Sequence, residues 1–130
     1  MKKFFLYVIG GHYGDEAKGK IVDSLAKNFD IVVRGSGGNN AGHTVKHEDK
    51  TFAFHLLPSG VLYRDTLNIL GMEMMINPTA LISEINEVKS RGVEPKIKIS
   101  TQATVVTDWH IQFDAAQEEG HGKIGTTKRG

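Results

Sequence analysis

Six residues in a row, Phe4 to Ile9, carry apolar or aromatic side chains. An unbroken run of that length predicts a strand buried on both faces, as in a parallel sheet. From Lys18 to Phe29 the pattern changes. Ile21, Val22, Leu25 and Phe29 recur at helical spacing and form one apolar face. Ile31 to Arg34 predicts a second short strand. Phe52, Phe54 and Leu56 alternate with other side chains after the polar stretch His47 to Lys50, which predicts a β-hairpin. Leu67 to Leu70 reads as a further strand. Asn77-Pro78 then supplies a cap and a first-turn proline for a helix whose apolar face is Leu81, Ile82, Ile85 and Val88 and which Gly92 ends. Lys96 to Ser100 predicts another strand. Asp108 is placed to cap a last helix with Trp109, Phe113 and Ala116 on one side, the two aromatics being expected in the core. Strands alternating with helices predict an α/β fold, with a mostly parallel sheet flanked by helices and a small hairpin excursion.

Glycines cluster where strand gives way to helix. In GGHYGDEAKGK, Gly14, Gly19 and Lys20 have the spacing G-x-x-x-x-G-K, whose backbone N–H groups cradle nucleotide phosphates at a helix N-terminus. Two features do not fit an ordinary phosphate loop. Ile21 stands where a hydroxyl should hold magnesium, and Asp15 and Glu16 bring negative charge toward phosphate. A second glycine loop, Gly35 to His43, gathers Asn39, Asn40, Gly42 and His43, with Thr44 after it. Parallel strands in a doubly wound sheet bring such loops together at their carboxyl ends. Other histidines suggest no chemistry. His47, His110 and His121 lie in polar surroundings expected at the surface, and His55 is expected as a packed polar residue.

Composition narrows the class. With 16 Lys and Arg against 15 Asp and Glu, the net charge is +1, so there is no bulk pull toward nucleic acid or a membrane. Absence of cysteine excludes disulfides and thiolate metal sites. The apolar start is too short to span a bilayer and lacks a signal-peptide cleavage site, which points to a cytoplasmic protein. The last residues, IGTTKRG, read as the middle of a loop, so the 130 residues are expected to be part of a longer polypeptide.

Four segments occur in order: HYGDEAKGK, GNNAGHT, HLLPSG and IGTTKRG. Together they resemble the adenylosuccinate synthetase family, from Val8 to the last residue. The resemblance covers about the first third of the family's usual length. It implies a P-loop-NTPase-like fold, with residues 1–130 as the N-terminal nucleotide-binding portion of a larger single-domain ligase. The implied activity is ligation of L-aspartate to IMP at the expense of GTP, giving adenylosuccinate, GDP and phosphate, by a homodimer in the full-length protein. Asp15 is then implied as the catalytic base, His43 as the acid, and Lys18 as a point charge for the 6-oxygen and γ-phosphoryl group. GTP contacts are implied for Gly14, Asp15, Glu16, Ala17, Lys18, Gly19 and Lys20, and for Gly42, His43 and Thr44. IMP contacts are implied for Asp15 to Lys18, Asn40, Ala41, Gly42, His43 and Thr127. Asp15 and the Gly42 backbone are the implied Mg²⁺ ligands, so Asp15 itself replaces the missing hydroxyl. Nearby phosphates are expected to raise the pKa of His43.

The chain departs from the family pattern at several positions. His12-Tyr13 stands for Gln-Trp, Ala17 for a glycine, Asn39 for a histidine and Lys128 for a glycine. Relatives acting on a 2-amino deoxy purine nucleotide have in some cases lost the aspartate, so Asp15 favours IMP. Two other readings compete: a nucleotide-binding module without turnover, and a generic P-loop NTPase or kinase. Ile21 and the lack of a clear apolar run ending in Asp argue against the latter.

Overall fold

The structure, a computed structural model, describes residues 4–12, 16–47 and 49–120; for His47 and residues 117–120 it describes the backbone alone. Its centre is strand β4, Leu67–Ile76. Three parallel partners pair with it: β1 (Ile31–Gly37) on one side, then β5 (Lys96–Ile99) and the short β6 (Thr104–Val105). Helix α1 (Lys18–Ala26) precedes β1, α2 (Pro78–Ser90) links β4 to β5, and α3 (Asp108–Gly120) follows β6. The hairpin β2 (His43–His47) and β3 (Lys50–Phe54) stands apart as a two-stranded antiparallel ladder. This is the mixed α/β architecture that the alternating pattern predicts.

Alternation along the paired strands divides them into two faces. Val32 of β1 and its partner Asn68 of β4 turn inward, while Ile31 and Val33 turn outward and are exposed. Inside, Leu70, Met74 and Ile76 meet Phe52 and Phe54 of the hairpin, Leu56 and Leu57 after it, and Leu81 and Val88 of α2. The helix bounds follow from local chemistry. Asn77 Oδ1 accepts the Ala80 N–H at 3.1 Å, Pro78 needs no hydrogen-bond donor in the first turn, and Gly92 leaves α2 at φ +88°. For α3 the expected cap shifts by one residue. The Ile111 N–H reaches the Thr107 carbonyl, and His110 Nδ1 accepts the Thr107 N–H at 3.0 Å, so Thr107 rather than Asp108 closes that helix.

Three other expectations are corrected. Residues Phe4 to Ile9 form no strand, and Phe5, Tyr7 and Ile9 are more than four-fifths exposed. Among the described residues β1 pairs only with β4, and nothing covers its outer face, so the apolar run has neither a ladder partner nor a surface to bury against. Trp109 and Phe113 are exposed on α3, where their rings stack on each other at 5.2 Å instead of entering the core. On α2, Ile82 faces outward, and the inward position one turn from Leu81 and Val88 belongs to a carboxylate, Glu84.

Glu84 has a definite task. Its two oxygens accept the backbone N–H groups of His55 (2.9 Å), Leu56 (3.1 and 3.2 Å) and Leu57 (3.0 Å). Those residues leave β3 in an irregular path, so their N–H groups have no ladder to join. A buried N–H without a partner costs about 1–3 kcal/mol, and a charged acceptor strengthens each bond. One helix side chain thereby sets the course of the segment that runs on into a 3₁₀ turn, Ser59–Leu62.

The glycine loop enters α1 through Ala17, which has φ +58° and ψ +26°. It is the single non-glycine residue at positive φ among the described residues. An L-residue in that region carries a Cβ–carbonyl clash of roughly 1–2 kcal/mol that glycine lacks. Ala17→Gly therefore raises the melting temperature, by an amount equivalent to about 0.5–1 kcal/mol after the extra chain entropy of glycine is subtracted. A thermal melt of the two proteins measures it, and a lower melting temperature for the glycine variant would contradict the strain. In the same assay Glu84→Gln lowers stability by about 1–3 kcal/mol, because an amide NH₂ then confronts one of the backbone donors.

Candidate functional site

The two glycine loops meet at the first turn of α1. Gly19 lies in that turn, and the His43 side chain at the start of β2 rests on its Cα; a Cβ at position 19 would stand 2.8–2.9 Å from three His43 atoms. A glycine at 19 is therefore a packing requirement of His43. Behind the second loop, the His55 ring closes on Gly42 in the same way, at 2.8 Å from where a Cβ would stand. His55 is thus a packed polar residue, as the sequence suggests, and its neighbour is the backbone of the loop.

The His43 imidazole is half-buried and held at its Nε2 atom by Ser59 Oγ, 3.1 Å away. The Ser59 hydroxyl also donates to the Gly19 carbonyl at 3.3 Å. Burial, followed by the charges of Arg34 and His55, lowers the His43 pKa to about 4. The polypeptide alone thus favours the neutral ring. The upward shift expected from phosphate would have to overcome that burial and the nearby Arg34 charge. Arg34, half-buried and with its pKa lowered by that burial, donates from Nη1 to the His55 carbonyl.

Lys18 is paired within its own loop. Its ammonium group contacts the Glu16 carboxylate, which also accepts the His12 N–H and whose pKa is lowered first by Lys18 and then by His12. Gly10 stands against this pair without room for a side chain. A charge expected to face substrate is therefore neutralised locally, and Glu16 acts as its counter-ion.

The remaining expected residues divide cleanly. Glu16, Ala17, Lys18 and Gly19 belong to one loop and helix turn, which Lys20 continues as an exposed residue. Asn40, Ala41 and Gly42 form the exposed turn ahead of His43. Thr44 is the next residue along β2 and is exposed, so its side chain alternates away from the face that carries His43. Gly35 to Gly37 belong to β1, so the second loop proper is residues 38–42. Gly14, Asp15 and Thr127 lie outside the described residues, and so do Tyr13, His121 and Lys128. Among the described residues no three His, Asp or Glu side chains cluster as a metal site, and no helix is long and apolar enough to cross a membrane.

Sequence reasoning passed over three residues of this region. Ser59 lies within HLLPSG, yet nothing in that string singles out its hydroxyl. Arg34 reads as the end of a strand. Glu84 does leave a trace, as the one charged residue among Leu81, Ile85 and Val88 on the apolar side of α2.

Comparison with known proteins agrees with the motif order. The family model described as adenylosuccinate synthetase matches residues 7–130. The chain is 50% identical over 126 residues to the adenylosuccinate synthetase of Caldicellulosiruptor bescii, covering 95% of this chain and 30% of that protein. It is 47% identical over 128 residues to that of Alkaliphilus metalliredigens, covering 96% and 30%. Among solved structures, the fully ligated adenylosuccinate synthetase of Plasmodium falciparum superposes with a TM-score of 0.79 at 41% identity, over 92% of this chain and 29% of that one. A cyanophage S-2L succinoaminodeoxyadenylate synthetase, bound to dGMP and to dATP as an energy donor, shares the fold with a TM-score of 0.69 at 23% identity. The chain thus spans about 30% of the length of the curated relatives it matches. From the match over residues 7–130 and these identities, the chain belongs to the adenylosuccinate synthetase family.

Proposed function

We propose that these residues form the phosphate-handling portion of a ligase that joins L-aspartate to IMP at the expense of GTP. One observation carries the reading: the His43 ring lies on the Cα of Gly19, so the two loops assigned to a single nucleotide make one surface. To be replaced by an amine, the 6-oxygen of IMP must become a leaving group. Asp15 takes the N1 proton, and the 6-oxygen then attacks the γ-phosphate of GTP. His43 donates a hydrogen bond to charge developing between the β- and γ-phosphates. Lys18 exchanges Glu16 for the γ-phosphoryl group and the 6-oxygen, and Thr127 binds the IMP 5′-phosphate.

The donors fit Mg²⁺, which prefers hard oxygen: a carboxylate at Asp15, and the carbonyl of Gly42 in a turn too tight for a side chain. Bound there, Mg²⁺ offsets the repulsion between that carboxylate and the phosphates. Retention of Asp15 supports IMP over a 2-amino deoxy analogue. A homodimer and a cytoplasmic location belong to the same reading of the whole enzyme.

The 130 residues by themselves suit a second role, nucleotide binding without turnover, because they span about 30% of the relatives' length. Two measurements test the reading. The 130-residue chain alone yields no adenylosuccinate from GTP, IMP and aspartate; detectable turnover would overturn the division of labour. Joined in frame to the remaining length of the Caldicellulosiruptor bescii relative, it is active, and Asp15→Asn then lowers kcat by about 10²–10⁴ while the protein melts normally. Added magnesium restores that variant only in part, since an amide cannot accept the N1 proton. Near-parental turnover, or full rescue by metal, would remove Asp15 from the role of base.

A further inference from the structure

Ser59 is assigned no part by the family resemblance, yet the residue is only 1% exposed, and its hydroxyl lies between the first turn of α1 and His43. Its Oγ lies 3.1 Å from His43 Nε2 and 3.3 Å from the Gly19 carbonyl. A hydroxyl has one proton to give. When that proton goes to the Gly19 carbonyl, the oxygen remains an acceptor for Nε2–H of His43. The ring is then anchored to the first turn of α1 through one nitrogen. Nδ1, on the other side of the ring, becomes a donor to phosphate when a bound phosphate draws a second proton onto the imidazole, while Nε2–H stays on Ser59.

Two further contacts keep the hydroxyl in place. Upstream, the Glu84 carboxylate holds the backbone of His55, Leu56 and Leu57, and so fixes the approach to Pro58 and Ser59. Downstream, Gly60 packs against β1 and β4, where a Cβ would meet Asn68 Oδ1 at 2.5 Å and Val32 at 2.9 Å. Neither side of Ser59 can shift without disturbing the core.

We propose that Ser59 is a positioning residue for His43, fixing the orientation and proton arrangement of the imidazole so that Nδ1 faces the transferring phosphoryl group. This rests on the reading of His43 as the acid. Orienting the group that does the chemistry is the part played by the third member of hydrolase triads, whose loss lowers turnover more than binding.

The test uses the completed enzyme described above, with four variants: Ser59→Ala, Ser59→Thr, His43→Asn and the double variant Ser59→Ala/His43→Asn. Ser59→Ala lowers kcat about 10–100-fold, the usual range for removing the orienting partner of a functional histidine, with KM for GTP and IMP within about two-fold. Ser59→Thr, which keeps the hydroxyl, recovers most of the loss. The double variant is no slower than His43→Asn alone, because a residue acting only through His43 has nothing left to position. A purely structural serine would instead give losses that multiply, and that result overturns the inference. Turnover of Ser59→Ala within two-fold of the parent, beside a collapsed His43→Asn, also overturns it and leaves the His43 reading standing. An active His43→Asn removes both. Should Ser59→Ala fail to fold, Ser59→Cys keeps the volume with a poorer hydrogen-bonding group and is held to the same outcomes.

Discussion

Much of the arrangement depends on one carboxylate. Glu84 enters from α2 and collects three consecutive backbone N–H groups just where the chain leaves the hairpin and has no strand to pair with. Without an acceptor those donors would be buried unsatisfied, and the chain would have to take another route. With it, the stretch after β3 is fixed against the helix that packs on the sheet. The position of Ser59, and through it the His43 ring, follows from a contact made behind the second loop. A charge in the interior is expensive to strand, so the same contact makes α2, the hairpin exit and the site interdependent.

The parallel sheet frames this network by geometry. α1 precedes β1 and the 38–42 turn follows it, and the first turn of α1 meets His43 just beyond the carboxyl end of that strand. Contact is close at each of these points because a glycine stands there. Gly19 yields space to His43 and Gly42 yields space to His55. These glycines serve close approach, while Gly92 serves the positive φ that ends α2.

What could be read from sequence was what depends on local pattern. The helix opened by Asn77-Pro78, the hairpin around residues 47–50 and the order of strands and helices each follow from a few neighbouring residues. The meeting of Gly19 with His43 was expected as a juxtaposition of loops after two parallel strands, and it occurs although Phe4 to Ile9 form no strand ahead of the first loop. The exposure of Phe4 to Ile9, and of Trp109 and Phe113, was not legible. An apolar residue announces a need for cover, but only tertiary partners decide whether cover exists. Ser59 and Glu84 were missed for a related reason: their importance lies in partners 16 and about 28 residues away. Ala17 is a mixed case. Its departure from glycine was visible, and only the backbone revealed that the position has positive φ.

The bare stretch FFLYVI has a consequence beyond the site. It is a six-residue window of high β-propensity with no charge, proline or glycine, the composition from which intermolecular strand pairing is built. It lies exposed in a chain whose β1 also presents an open edge among the described residues. The sequence places Lys2 and Lys3 directly before it, and Gly10 and Gly11 directly after. Like charges repel stacked copies and glycine weakens an extended ladder, so these flanks act as gatekeepers against self-assembly. Replacing the two lysines would therefore alter the colloidal behaviour of the protein.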